Sequence, residues 1–430
     1  MIFFSLIETL NKLLGLIIIA LLSRILGIEN FVFYSSIMVV FSYFFELSNF
    51  SFQNKNLVDA ASSKDFIYSE IYIHRLFSIF FISMFSFIAF YFLWEFDSHL
   101  KLLPLALILL LPFLNFDFYL FATDKGKYVV ISRFISQIIV IIMLYLFYFF
   151  EIDDKNIFWV NFFQSYLLSF LLILFALASS GLNLKQLLRT LFIPKFIDII
   201  NQLRKQLSIF LSKISMLIVS SVEIVFSLFY KNPIFDNLVL GNRIVIIIIP
   251  FIQFYINSNI KKINNDNYIN YILFNSVIVS LIILVSPTII TILFGKEMLN
   301  QSFNINFFIP LVIFQAFINY VYITNIKYNL SSKFFYGLLF LVITSIIMLM
   351  FFARLDYLNI QNLIYIIYFK CILSFFLAPE IPLKNRLFTF FAFILPVFLN
   401  IICFKYTYFE NYEFYQNKIG FILKNLINES

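Results

Sequence analysis

Apolar positions along this chain neither alternate nor recur as one stripe of a helix; they form long continuous runs separated by short polar stretches. A helix crossing the hydrocarbon core of a bilayer needs about 20 predominantly apolar residues. Thirteen runs meet that length, near 4–24, 30–50, 71–93, 103–122, 128–150, 157–179, 207–230, 238–258, 270–293, 303–325, 334–353, 360–378 and 387–407. A membrane strand would instead alternate over about ten residues, so the runs predict helices that satisfy their backbone groups internally. The expected fold class is all-α, a polytopic membrane protein with 12–14 transmembrane helices.

The connecting segments carry a second pattern. With the N-terminus placed in the cytoplasm, the segments on that side hold fifteen Lys and Arg residues and those on the other side hold six. Cytoplasmic loops concentrate Lys and Arg, and the bias alternates through twelve successive connections, which one missed or invented span would scramble. The longest internal polar-leaning segment, 182–206, follows the sixth run and holds Lys185, Arg189, Lys195, Arg204 and Lys205. It divides the chain into a first six-helix unit (1–181), a cytoplasmic linker (182–206), a second six-helix unit (207–380) and an extra helix with an amphipathic tail (381–430). Six is even, so both units enter the membrane in the same direction, as parallel internal repeats require. Lys12 in the first run and Lys213 in the seventh occupy similar depths, a faint echo of such a repeat. The tail has Tyr415, Ile419, Ile422 and Leu426 at helical spacing and reads as an interfacial helix or a fourteenth span. The opening 26 residues have no basic leader and no small-residue cleavage site, and are expected to stay as the first span.

Composition makes the solvent unambiguous. The chain is 62% hydrophobic and 12% charged, against roughly 45–50% and about 25% in soluble domains; too few charges exist to write a polar shell. The net charge of +7 is accounted for by topology and gives no reason to expect nucleic acid as a partner. Cys371 and Cys403 lie within apolar runs at no metal-ligand or disulfide-framework spacing, and no cofactor or metal is expected.

Three stretches carry a family resemblance. The first is Ser23-Arg24-Ile25-Leu26-Gly27-Ile28-Glu29 followed by Phe31-Val32-Phe33-Tyr34-Ser35; the second is Asn49-Phe50-Ser51-Phe52 through Lys55 to Ala60-Ala61; the third is Phe294-Gly295-Lys296-Glu297. Together they resemble the polysaccharide-biosynthesis, or O-antigen, flippases, the lipid-linked oligosaccharide translocases of the multidrug/oligosaccharidyl-lipid/polysaccharide exporter superfamily. Val32 stands where that family usually has glycine, and Lys55 where it commonly places arginine. The resemblance implies two six-helix bundles around a central cavity that opens alternately to the cytoplasm and periplasm, in a bacterial inner membrane. It also implies the substrate, an undecaprenyl-pyrophosphate-linked oligosaccharide repeat unit for O-antigen or capsule, with membrane lipids and the polysaccharide polymerase machinery as partners.

An ionisable group at membrane depth costs about 2.5–3.5 kcal/mol at a helix centre even on insertion scales, so each is a candidate for function. Lys12, Lys213 and Arg243, with Arg24 near the outer exit, would give a cavity the positive field that suits pyrophosphate oxygens. Lys12 lies eight residues into its run, about 12 Å at roughly 1.5 Å per residue. The plainer alternatives are a Glu8–Lys12 pair on one helix face, and snorkelling of Lys213 and Arg24 to the headgroups. Glu46, Asp117 and Glu223 are candidates for binding a coupling proton or sodium ion, or for interhelical salt bridges. Pro104 and Pro112 precede Asp117 and predict a kink there; Pro250 and Pro287 allow the same in the eighth and ninth runs.

Two other classes compete. A membrane-embedded polymerase, glycosyltransferase or acyltransferase of a glycan cluster would bring a large or acidic external loop or a catalytic histidine. Here the external connections are short, and the two histidines are His74, near an inner helix end, and His99, in an external loop. No Walker A, HExxH, GxGxxG or GxSxG pattern is present, so the protein is not expected to be an enzyme. A small-molecule antiporter of the same superfamily would share fold and topology. Its cavity would be acidic and aromatic, and three basic against three acidic candidates leave that choice open.

Overall fold

In a bilayer each uninterrupted apolar run has one way to satisfy its backbone, and the computed structural model is helical accordingly. It describes residues 2–92, 96–150, 156–179, 182–230, 235–245, 265–295, 302–328, 331–354, 358–376 and 381–410. In chain order the helices are α1 (Ile2–Asn49), α2 (Phe52–Ser62), α3 (Glu70–Phe92), α4 (Phe96–Ile108), α5 (Asp117–Ala122), α6 (Gly126–Phe149), α7 (Ile157–Ser179), α8 (Leu184–Thr190) and α9 (Phe196–Phe229). A helix over 235–245 is α10. There follow α11 (Asn265–Phe294), α12 (Ser302–Asn306), α13 (Leu311–Tyr328), α14 (Ser331–Arg354), α15 (Ile360–Phe376) and α16 (Leu383–Glu410). The protein is an all-α polytopic membrane protein: among the described residues nine helices are long and apolar enough to cross a membrane, and a bent pair makes a tenth.

Several boundaries differ from the apolar runs in instructive ways. The first two runs are one helix, α1, divided into two arms at Gly27, whose φ of 69° and ψ of 165° lie where only glycine sits without strain. The fourth run is broken, with Leu102–Ile108 and Leu111–Ala122 meeting at 42°. Pro112 lies in the 3-10 turn that opens the second piece, so the kink expected from proline is present. Pro287 instead lies inside the continuous α11. Pro250, most of the 238–258 run and the tail beyond residue 410 lie outside the described residues. The linker is partly ordered, because α9 begins at Phe196 and carries the chain from the linker straight into the seventh run.

Small side chains let the helices approach. Ser78, Ser83 and Ser86 of α3 are all buried, and Ser83 donates to the Ser48 carbonyl of α1 at 3.4 Å, as small-residue interfaces in membranes do. Large apolar side chains such as Phe85, Phe149, Ile347 and Phe391 point outward, where lipid would solvate them. Within the first half α1 packs on α3 and α6, and α7 on α4 and α6; within the second, α14 packs on α9 and α15, and α11 on α13 and α16. The halves meet along a seam where α1 lies against α9 and α11, and α3 against α9. At the lysine-rich end Phe50 stacks on Phe210 at 4.1 Å, and Gln206 donates to the Ser51 carbonyl at 3.2 Å. At the opposite end Phe31 meets Phe294 at 6.0 Å, and Ser23 donates to the Leu293 carbonyl at 2.5 Å.

Candidate functional site

The second arm of α1 forms one wall of the seam. Tyr43 and Glu46, three positions apart, share a helical face, and Tyr34 lies toward the other end of the same arm. Across from them, α9 presents Lys213, Ser221 and Glu223. Lys213 and Glu223 are ten positions apart, about 15 Å along the axis and roughly 80° around it, so they meet different neighbours.

Lys213 turns to the first half. Its ammonium is the charge that acts on Glu46, and it lies 5.1 Å over the ring of Tyr322 from α13, a cation–π arrangement. The Glu46 carboxylate accepts from the Ser51 hydroxyl at 3.0 Å. The Tyr322 hydroxyl accepts from the Asn54 amide of α2 at 3.5 Å. Ser51 stands at the N-terminus of α2 with φ of 57°, a left-handed turn that brings its hydroxyl back under α1.

Glu223 stays within its own half. Lys370 of α15 donates from Nζ to Glu223 Oε1 at 2.5 Å. Between the two charged sites, the Tyr43 hydroxyl and Ser221 Oγ are 2.7 Å apart. Ser221 also bonds the Leu217 carbonyl, which uses its single proton and makes Tyr43 the donor across the seam.

Arg243 of α10 extends over Tyr34, with Cζ 5.8 Å from the ring centroid, and the Tyr34 hydroxyl is held by the Asn161 amide of α7 at 2.8 Å. Its Nη2 is buried and has no hydrogen-bond partner. A guanidinium offers five donors and no acceptor, so a buried Nη2 without an acceptor is a site that an anionic oxygen would complete.

Glu46, Lys213, Glu223 and Arg243 are thus brought together along one seam. Asp117 lies elsewhere: it opens α5 beyond the break, its backbone N–H donates to Asn115 Oδ1 at 3.0 Å, and the opposite charge that acts on it is Arg133 of α6. Arg24 is exposed. Lys12 lies on α1, but its side chain is outside the described residues, as is that of His99. His74 sits edge-on to Phe192 at 5.5 Å. Cys371 is buried beside Lys370.

Three ionisable residues inside apolar runs are not among the sequence-based candidates: Arg133, which acts on Asp117, Lys370 and Arg75. Lys370 sits eleven positions into the 360–376 helix, so the depth criterion applied to Lys213 reaches it equally. Arg75 of α3 is buried and clamps α2, donating to Asp59 at 2.7 Å and to Asn56 at 2.9 Å. Its position near the start of an apolar run gave a weaker signal.

No family model matches the chain, and no curated protein sequence matches it. Solved structures do. The chain is similar to a MATE in complex with MaL6, at 12% identity and a TM-score of 0.55, over 93% of this chain and 96% of that one. It is also similar to the outward-facing conformation of a multidrug resistance MATE family transporter of the MOP superfamily, at 12% identity and a TM-score of 0.54, over 92% and 95%. Nearly whole-length coverage at this identity shows that the chain has the fold of these MATE transporters.

Proposed function

We propose that the protein is an alternating-access carrier that moves an undecaprenyl-pyrophosphate-linked oligosaccharide repeat unit from the cytoplasmic to the periplasmic leaflet, for O-antigen or capsule synthesis. On this reading it resides in a bacterial inner membrane with the N-terminus cytoplasmic, and hands its cargo to the polymerase machinery without itself being an enzyme. The units 1–181 and 207–380, joined by 182–206, are the two moving bodies.

The observation that supports a pyrophosphate headgroup is how the buried charges pair. Glu46 faces Lys213, Asp117 faces Arg133 and Glu223 holds Lys370. Each carboxylate proposed from the sequence already has a cation. Arg243 has no carboxylate partner among the described residues, and its Nη2 is unpaired. Among the described residues the seam therefore carries one positive charge without an opposite one, and an anion is the ligand that would neutralise it. Lys12 and Arg24 would extend that field along the first arm of α1.

The test is deletion of the gene, complementation with Arg243→Ala at matched expression, and assay of lipid-linked repeat units by leaflet. Units trapped on the cytoplasmic leaflet in both strains, with no surface polymer, are expected. Normal surface glycan with Arg243→Ala would remove the proposed role of Arg243, and unpolymerised single units displayed outside would identify a polymerase.

A second reading, a small-molecule antiporter, is favoured by the fold shared with a multidrug resistance MATE transporter. Drug sensitivity of the deletion strain with intact surface glycan would select it.

A further inference from the structure

Glu223 and Lys370 are 147 positions apart in sequence and join α9 to α15 inside the second half. Each side chain is only 3% exposed, and the ammonium rests on the carboxylate oxygen at 2.5 Å. Replacing a buried ion pair by apolar residues of similar volume is often neutral or stabilising, so packing gives little reason to keep this one. Lys370 is flanked on α15 by buried Ile366, Ile367 and Phe375, and its ammonium ends on Glu223. Among the described residues the groups that act on Glu223 are Lys370 and Cys371 from α15 and Tyr43 from the opposite wall, and the Tyr43 hydroxyl meets Ser221, two residues before Glu223. A carboxylate is a hard-oxygen ligand of the kind that alkali and alkaline-earth cations take. The one positive charge such a ligand would neutralise is already present, attached to the chain.

We infer that Lys370 is a tethered substitute for a monovalent metal ion at Glu223, closing this carboxylate to Na+, so that any ion coupling through it runs on protons. The inference rests on the reading of the protein as a carrier, but not on the identity of its cargo. An ammonium and a sodium ion bring the same charge to the same oxygen, and the carboxylate has charge for one of them. A proton instead forms an O–H bond on Glu223 and leaves Lys370 with the positive charge it already carries.

The experiment compares thermal unfolding of the purified full-length protein in NaCl and in choline chloride at equal ionic strength. The wild type is expected to unfold at the same temperature in both. Lys370→Ala, which vacates the position, is expected to gain a sodium-specific rise of several degrees that disappears when Glu223→Gln is added. If Lys370→Ala does not fold, Lys370→Gln, which keeps a donor to the carboxylate but no charge, takes its place with the same expected response. A sodium-specific rise in the wild type that Glu223→Gln abolishes would overturn the inference. So would a folded Lys370 variant that is indifferent to sodium. Neither result bears on whether the cargo is a lipid-linked glycan, which the leaflet assay decides separately.

Discussion

Helix α9 carries a lysine and a carboxylate ten positions apart, and each finds its opposite charge in a different half of the molecule. Lys213 acts across the seam on Glu46 of α1, whereas Glu223 is held by Lys370 of α15 in its own half. The surroundings differ as well. Glu46 also has the Ser51 hydroxyl, and Lys213 the Tyr322 ring, so each has a second partner in its own half. Glu223 and Lys370 have no other charged partner among the described residues. On the proposed carrier reading, the first arrangement opens and closes at low cost, and the second stays together while its half moves.

The sharpest way to break this comparison is to remove one member of the inner pair. Lys370→Ala leaves an uncompensated buried carboxylate, for which about 3–5 kcal/mol of destabilisation is expected. Glu223→Gln with Lys370→Met, which deletes both charges at similar volume, should recover most of that loss. The comparison is read from the denaturation midpoints of the wild type, Lys370→Ala and the double variant. A double variant as unstable as Lys370→Ala would show that shape, not charge, fixes this contact.

The seam should answer differently. Lys213→Met leaves Glu46 with its Ser51 hydrogen bond, so a smaller loss of about 1–3 kcal/mol is expected, the range for a buried polar group deprived of a partner. Its larger consequence is mechanical. A cysteine at Gln206, beside Ser51, should react faster with a maleimide when Lys213→Met is present, and at the wild-type rate when Glu223→Gln/Lys370→Met is present instead. Equal acceleration by both would mean that the inner pair also fastens the seam, and the distinction between the two sites would fall.

Much of this architecture was legible in the chain because lipid leaves a backbone few choices. The apolar runs mark the helices, the loop lysines separate the two ends, and Pro112 marks the break before Asp117. Gly27 was read as part of a junction, although it turns one long helix within itself through a positive φ. The residues of the seam were legible as buried charges, since Glu46, Lys213, Glu223 and Arg243 each interrupt an apolar run. Their pairing was not. The partner of Glu223 lies 147 positions away, and no periodicity links α9 to α15. Lys370 meets the same depth criterion as Lys213, so three cations against three carboxylates is an incomplete balance. The balance changes once Lys370 and Arg133 are counted, because each carboxylate then has its own cation, and among the described residues Arg243 is the seam charge without an opposite one.

The smallest expected effect tests whether the seam is one element or several. Tyr43 donates across it to Ser221, and Ser221 keeps its own bond to the Leu217 carbonyl whichever residue stands at 43. Tyr43→Phe therefore removes one hydrogen bond without stranding a donor, and about 0.5–1.5 kcal/mol of stability should be lost. Ser221 and Lys213 lie eight residues apart on α9, roughly 12 Å along the axis. At that distance independent contacts add to within about 0.5 kcal/mol, so the double variant Tyr43→Phe/Lys213→Met should lose the sum of the two single losses. A larger shortfall from additivity would mean that breaking either contact already releases the other. The wall between the halves would then part as a single unit, with Tyr43 transmitting the state of the Lys213 contact toward Glu223.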